Sequence, residues 1–430
     1  MRPTEESSHT TFADGAQWTA DGRAGERTQV PILSRRTSFV TVIALAAAAS
    51  GFAILIHSTL PYFHFGFYLA LAAVFAVALV IMVPAGSVQH GLLTVASLLA
   101  TLAALEIATT IYTELVDIYL DPDRPRYNGD ARRFVREHPE LGFEPQEAST
   151  QVHARRIKDG RIVYDVRYSI DEQRHRPTDG NKPASCTILF FGDSFVFGMG
   201  VDDKDTLPNQ LLAHMQGRCN GVNYGLQAYG PHHTLLMLET VPPARMGSGC
   251  VAAVVTTLLP DHGRRARGLY YWARFAPRYE LVADERVEAA GRIDRFSGRF
   301  TSWAAFRREL IGVLRGSALF DRLYQYPELE DADEVRYTDA LLVALITQAA
   351  GIVWERFHVP LTVIAWDDEN GSLKPVLARL RERGVDAVDK DALLAGPWTP
   401  DYLIAGDGHP SAKANGEIAA SLARRFAGCR

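Results

Sequence analysis

The stretch Thr187-Ile188-Leu189-Phe190-Phe191-Gly192-Asp193-Ser194-Phe195-Val196-Phe197-Gly198 decides how this chain reads. Five residues apolar on both faces stop abruptly at Gly-Asp-Ser, which describes a strand buried on both sides that ends in a turn. Similar runs recur at Gly221 to Tyr224, Val251 to Val255, Leu361 to Ala365 and Val385 to Val388. Helix-like segments lie between them, such as Thr206 to Gln216 and Thr338 to Phe357. This alternation predicts an open α/β domain, a doubly wound parallel sheet covered by helices. Such folds place their sites at the carboxyl ends of strands, where Ser194 stands.

Upstream the composition changes. From Ser38 to Tyr112 there is no Lys, Arg or Asp, and the only acid is Glu106. A hydrocarbon core of about 30 Å takes about 20 helical residues. Three apolar runs approach or reach that length: Phe39 to Leu55, Phe65 to Val83 and Leu92 to Tyr112. None has the polar face of a helix on a soluble surface, so three transmembrane helices are expected over 38–114. Arg35-Arg36 before the first run stays cytoplasmic under the positive-inside rule. Three crossings then put the rest of the chain outside, at a bacterial cytoplasmic membrane facing the periplasm. Residues 1–37 read as a disordered cytoplasmic tail. Glu106 is either a functional intramembrane carboxylate or a group bonded to a neighbouring helix near the interface.

After the linker Asp121-Pro122-Asp123-Arg124-Pro125, residues 115–185 form a small β-rich lead-in, with period-2 alternation from Gly160 to Ile170 beside Asp159-Gly160. Residues 186–430 carry the sheet domain. Lys+Arg 45 against Asp+Glu 50 gives a net charge of −5, so no basic balance points to nucleic acid. Four cysteines, at 186, 219, 250 and 429, form no C-x-x-C pair, so neither a zinc site nor a dithiol centre is expected. An even number outside the membrane part fits two disulfides in an oxidising compartment, paired as Cys219–Cys250 and Cys186–Cys429. No cofactor and no metal are expected.

Near the far end comes Asp407-Gly408-His409-Pro410-Ser411, followed by a helical stretch to Phe426. A serine nucleophile needs a base within reach and a third group to orient that base. A doubly wound sheet can bring Ser194 and His409 to one edge, with Asp407 beside the histidine; Asp367 and Asp368 are weaker substitutes. Residues 186–427 resemble the SGNH (GDSL-type) hydrolases, in a branch of membrane-anchored bacterial members, through Gly192-Asp193-Ser194, Asn223-Tyr224-Gly225-Leu226-Gln227-Ala228-Tyr229-Gly230 and the Asp407-Gly408-His409 block. The resemblance implies a flavodoxin-like sandwich and ester chemistry. Ser194 would be the nucleophile, His409 the base, and the N–H groups of Ser194 and Ala228 oxyanion donors, Ala228 standing where the family usually has glycine.

Two blocks depart from that pattern. Pro260-Asp261-His262 replaces the usual Gly/Pro-Asn-Asp, so a carboxylate stands where an amide N–H normally joins the oxyanion hole, worth about 3 kcal/mol. Asp261 would repel an oxyanion unless protonated or turned away, and His262 is a candidate to supply the missing N–H. Asp407 lies two residues before the histidine, where the family spacing of three falls on Gly406. His232 and His233 either line the pocket or form a solvated turn. An insertion from Gly263 to about Phe300 interleaves arginines with aromatics, as a sugar-stacking surface or as a hairpin capping the site.

The expected function is a membrane-anchored extracytoplasmic serine esterase that cleaves acyl esters on envelope or exported carbohydrate. Its alternatives are an O-acyltransferase working with another membrane or envelope protein, and a catalytically silent carbohydrate-binding or assembly protein.

Overall fold

The computed structural model describes residues 64–83, 86–113, 125–128, 134–179, 184–243, 246, 250–282, 285–297, 302–324 and 332–427. The first expected membrane helix and the amino-terminal tail lie outside the described residues. The described residues begin with two apolar helices, α1 (His64–Met82) and α2 (Ser87–Tyr112). Small residues fill their contact: Ala73, Ala76, Ala96 and Ala103 are buried, while Phe75, Leu79, Leu98 and Leu105 face outward. Small inside and large apolar outside is the arrangement of helices packed within lipid. Of the described helices, α2 and a later one, Ala332–Phe357, are long and apolar enough to cross a membrane. Leu341, Leu342, Leu345, Ile346 and Val353 bury the later one in the core of the sheet domain.

The lead-in contains β1 (Arg126–Tyr127), β2 (Val135–His138), β3 (Gly142–Pro145), β4 (Thr150–Lys158) and β5 (Arg161–Ile170). β4 and β5 pair antiparallel, with Lys158 opposite Arg161. The two residues between them, Asp159 and Gly160, both have left-handed φ, 48° and 73°. Two successive left-handed residues match the twist of a tight hairpin, which explains the Asp-Gly pair.

The sheet domain follows in chain order as β6 (Cys186–Phe191), α3 (Ser194–Phe197), α4 (Leu207–His214), β7 (Cys219–Asn223), α5 (Pro231–Thr240), β8 (Cys250–Leu258), α6 (His262–Ala266), β9 (Pro277–Leu281), β10 (Val287–Arg292), α7 (Trp303–Leu314), α8 (Ala318–Leu323), α9 (Ala332–Phe357), β11 (Leu361–Ala365), α10 (Lys374–Glu382), β12 (Asp386–Asp389) and α11 (Ala412–Phe426). β12-β11-β8-β6-β7 form a parallel sheet in that order. Counted along the chain, that is 2-1-3-4-5, the doubly wound order that changes direction at its first strand. β6 alternates between two cores: Leu189 and Phe191 pack with α5, α9 and α10, Ile188 and Phe190 with α4 and α11. All four are fully buried, each worth about 2 kcal/mol of transfer free energy.

The disulfide joins Cys186 to Cys219, not the pairs expected from sequence. These cysteines face each other at the start of β6 and β7, with Cα atoms 4.5 Å apart. Cys250 flanks Cys186 on the other side, exposed and unpaired. Since β6 lies between β7 and β8, Cys219 and Cys250 are two strand spacings apart, about 9.5 Å, too far for a bridge. Cys429 lies outside the described residues.

Candidate active site

The polypeptide leaves β6 through Gly192, whose φ of 145° and proximity to Thr257 and Val196 exclude a Cβ. Asp193 then caps α3, accepting from the Phe195 N–H at 2.9 Å. This sharp strand-to-helix turn sets Ser194 at the carboxyl end of the first strand, beside the point where strand order reverses. Asp193 is completely buried. Its carboxylate also accepts from Thr257 Oγ1 at 3.2 Å and pairs with His262 Nε2 at 3.0 Å and Arg265 Nη1 at 3.5 Å. Burial works to raise this carboxyl's pKa, but the hydrogen bond from His262, then the charge of Arg265, hold it down at about 2. On the far side of the turn, fully buried Arg176 donates to the carbonyls of Phe197 at 2.9 Å and Val201 at 2.7 Å.

The second half of the site is the loop before α11. Asp407 and Gly408 both return their N–H to the Ile404 carbonyl, and Ile404 in turn donates to the His409 carbonyl at 2.8 Å. Gly406 and Gly408 take φ of 80° and 90°, which lets the chain coil that tightly. The coil turns Asp407 and His409 toward one another, so a spacing of two residues suffices for their side chains to bond. His409 Nδ1 meets Asp407 Oδ2, and His409 Nε2 lies 2.8 Å from Ser194 Oγ. The three side chains therefore form one continuous hydrogen-bonded chain.

Asp407 has a second partner that sequence reading missed. Arg156, on β4 of the lead-in, places its guanidinium against Asp407 Oδ1. Burial acts to raise the Asp407 pKa, while the His409 hydrogen bond and charge, then Arg156, keep it below the ordinary carboxylate value. Phe195 packs against both His409, at 5.4 Å between ring centres, and Trp366, at 5.0 Å. Trp398 lies beyond Trp366, so an aromatic wall flanks the base.

Ala228 stands with φ of 68°, in a turn closed by the Tyr229 N–H on the Leu226 carbonyl. That left-handed position accounts for the glycine common there in the family this block resembles. Neither the Ser194 nor the Ala228 N–H has an acceptor among the described residues.

The Asp261 carboxylate turns to Arg265, at 2.8–2.9 Å, whereas His262 is placed differently from expectation. His262 is fully buried with Nε2 committed to Asp193 and Nδ1 accepting from the Leu259 N–H, so it cannot serve as an oxyanion donor. His232 and His233 are both fully buried, neither solvated nor lining an open pocket. His233 stacks on Tyr229 at 4.1 Å and bonds the Leu141 carbonyl, and burial brings its pKa down to about 3. Asp367 bonds the Asp368 and Leu373 N–H groups and makes no contact with His409.

The insertion contains the β9–β10 hairpin, but it caps the fold elsewhere. Tyr279 bonds Glu239 of α5 at 2.6 Å, and the Val287 N–H bonds Gln348 of α9 at 3.3 Å. Three of its arginines are engaged: Arg265 bonds the Tyr229 carbonyl at 2.7 Å, Arg267 bonds Glu334 at 2.8 Å, and Arg274 lies 4.4 Å from the Phe275 ring centre. An open cleft of about 680 Å³ beside this hairpin, between Glu239, Val287 and Gln348, includes no member of the Ser194–His409–Asp407 chain. Arg156 and Arg176 escaped sequence reading, because an arginine pairing with a distant segment leaves no local pattern, and Arg265 was read only as part of the insertion's surface.

No family model and no curated protein matches the chain. Similar solved structures include a protein assigned to the G-D-S-L lipolytic family from Desulfitobacterium hafniense, at 12% identity and a TM-score of 0.29, covering 55% of this chain and 98% of that one. A protein assigned as an arylesterase from Agrobacterium tumefaciens matches at 14% identity and a TM-score of 0.29, covering 57% and 99%. A mutant of the esterase AlinE4 matches at 14% identity and a TM-score of 0.28, covering 57% and 97%. At scores this low the reading of the site rests on its own geometry.

Proposed function

We propose that this protein is a membrane-anchored serine esterase of the SGNH type, with its catalytic domain on the extracytoplasmic side. The unbroken Asp407–His409–Ser194 chain at the carboxyl end of β6 carries this reading. His409 Nε2 takes the Ser194 proton as Oγ attacks the ester carbonyl, and Asp407 holds the imidazole in the tautomer that can receive it. The N–H groups of Ser194 and Ala228 donate to the oxyanion. Collapse of that intermediate passes the proton from His409 to the departing alcohol and leaves an acyl group on Ser194. Water, deprotonated by His409, then releases the acid and restores the serine.

The Asp261–Arg265 pair supports the reading, since it draws off the carboxylate that would oppose the oxyanion. Two backbone donors without a side-chain amide predict a slower enzyme, by about 3 kcal/mol of lost stabilisation. The Cys186–Cys219 disulfide and the apolar α1 and α2 support an anchored domain in an oxidising compartment. The proposed substrates are O-acyl groups on envelope or exported carbohydrate.

The test is p-nitrophenyl acetate hydrolysis and fluorophosphonate labelling of the full chain in detergent, with Ser194→Ala alongside. We expect the mutant to lose ~10⁴-fold in kcat and all labelling. A folded parent that neither labels nor hydrolyses would overturn the esterase. An acyltransferase needing a membrane partner, or a silent carbohydrate-binding protein, would then take its place.

A further inference from the structure

Glu106 of α2 takes no part in the ester chemistry, yet it is 2% exposed and fully engaged. Its Oε2 accepts from Ser317 Oγ at 2.5 Å and from the Leu319 N–H at 3.1 Å. Its Oε1 accepts from the Ala318 N–H at 2.8 Å. The three donors are the N-cap residue and the first two residues of α8, a helix of the sheet domain more than 200 residues downstream. Farther along, Arg322 of α8 sits 4.8 Å from the ring centre of Tyr112, at the end of α2. α8 therefore runs beside the last two turns of α2. Six residues separate Glu106 from Tyr112, about 9 Å along the axis, and α8 is itself about 9 Å long.

The apolar run of α2 starts at Leu92, after Ser87, Gln89 and His90. Filling a hydrocarbon core of about 30 Å from there takes about 20 residues and reaches Ile111, which places Glu106 at the depth of the distal leaflet. A lone carboxylate at that depth is costly, and the three donors of α8 meet the cost. Leu323, at the end of α8, is 76% exposed and follows Arg322, which sits at Tyr112, and Leu105 and Ile111 of α2 are exposed as well. An arginine and a tyrosine sit together at the level where a membrane interface favours both.

We propose that α8 is an interfacial foot of the catalytic domain, with Leu323 in the lipid and Ser317 to Leu319 held at the Glu106 carboxylate. The occupant of this surface is the phospholipid layer around α2. The inference rests on the reading that α2 spans a membrane. Beyond that reading, it says that the domain does not hang from a free tether but is seated on the bilayer through α8.

The experiment uses the full chain, with Cys250 and Cys429 replaced by serine, in vesicles of phosphatidylcholine and phosphatidylglycerol. Nitroxide labels go, one at a time, on Leu323→Cys, on Leu98→Cys in α2 and on Ile162→Cys in the hairpin. Power saturation compares oxygen, which partitions into lipid, with a water-soluble nickel complex. The expected result is Leu323 shielded from nickel several-fold better than Ile162, with Leu98 deeper still. Leu98 in lipid with Leu323 as open to nickel as Ile162 overturns the foot and leaves the anchor standing. Leu98 open to nickel removes the anchor and the foot with it. Glu106→Leu should then raise nickel access at Leu323 toward that of Ile162 without moving Leu98. An unchanged Leu323 would remove Glu106 from the proposal.

Discussion

The two halves of the proposed active site are held by different means. The nucleophile turn is pinned from within the sheet domain, where Asp193 binds Thr257, His262 and Arg265, all on β8 or just after it. The base loop is pinned from outside that domain, where Arg156 reaches Asp407 from the lead-in hairpin. The first set of charges is buried, whereas the Arg156 side chain remains 21% exposed. The contrast separates two jobs. On this reading the inner network holds the serine turn and the outer contact aims the histidine.

Removing the inner carboxylate tests this most severely. Asp193→Ala leaves His262 and Arg265 without their buried partner, and a broken buried pair costs about 3–5 kcal/mol. Denaturant unfolding should show that loss, and a stability within about 1 kcal/mol of the parent would break the contrast. Arg156→Met should do the reverse. We expect about a tenfold fall in kcat, or about 1.4 kcal/mol of barrier, with a smaller loss of stability than in Asp193→Ala because Asp407 keeps its His409 partner. A kcat within about twofold of the parent would reduce Arg156 to a structural contact.

Acid sharpens the same distinction. Asp193 titrates near 2 in the fold and near 3.8 as a free side chain. Its contribution, roughly 2 kcal/mol, is complete above pH 3.8 and is lost as pH falls through 2. Stability measured between about pH 4 and pH 2 should decline in the parent and flatten in Asp193→Asn. The smallest effect is expected at the oxyanion turn. Ala228→Gly relieves a left-handed alanine but loosens the unfolded chain, so its net gain should stay below about 1 kcal/mol with kcat retained. A large loss of kcat there would show that the methyl group positions the donor.

Residues that act through local pattern were legible in the sequence. Each of the five predicted runs overlaps a strand of the sheet, because strands buried on both faces must be continuously apolar. Ser194 and His409 stood out because each lies on a turn with glycine beside it, one after a strand and one before a helix. What stayed hidden is pairing across distance. Arg156 and Asp407 are 251 positions apart, and nothing near either names the other. His262 misled for a related reason: its place in the third block suggested the oxyanion, whereas its ring points beneath the serine turn to Asp193. The cysteines followed strand order in space, which their order along the chain does not reveal.

The Cys186–Cys219 bond closes a covalent ring, and Ser194 lies on that ring. A single protease cut between Ser194 and Gly217 would sever the backbone without detaching either piece. The nicked protein would run at full mass until reduced, and on reduction it would part into two fragments. The residue proposed as nucleophile thus sits on a segment that one cleavage cannot release.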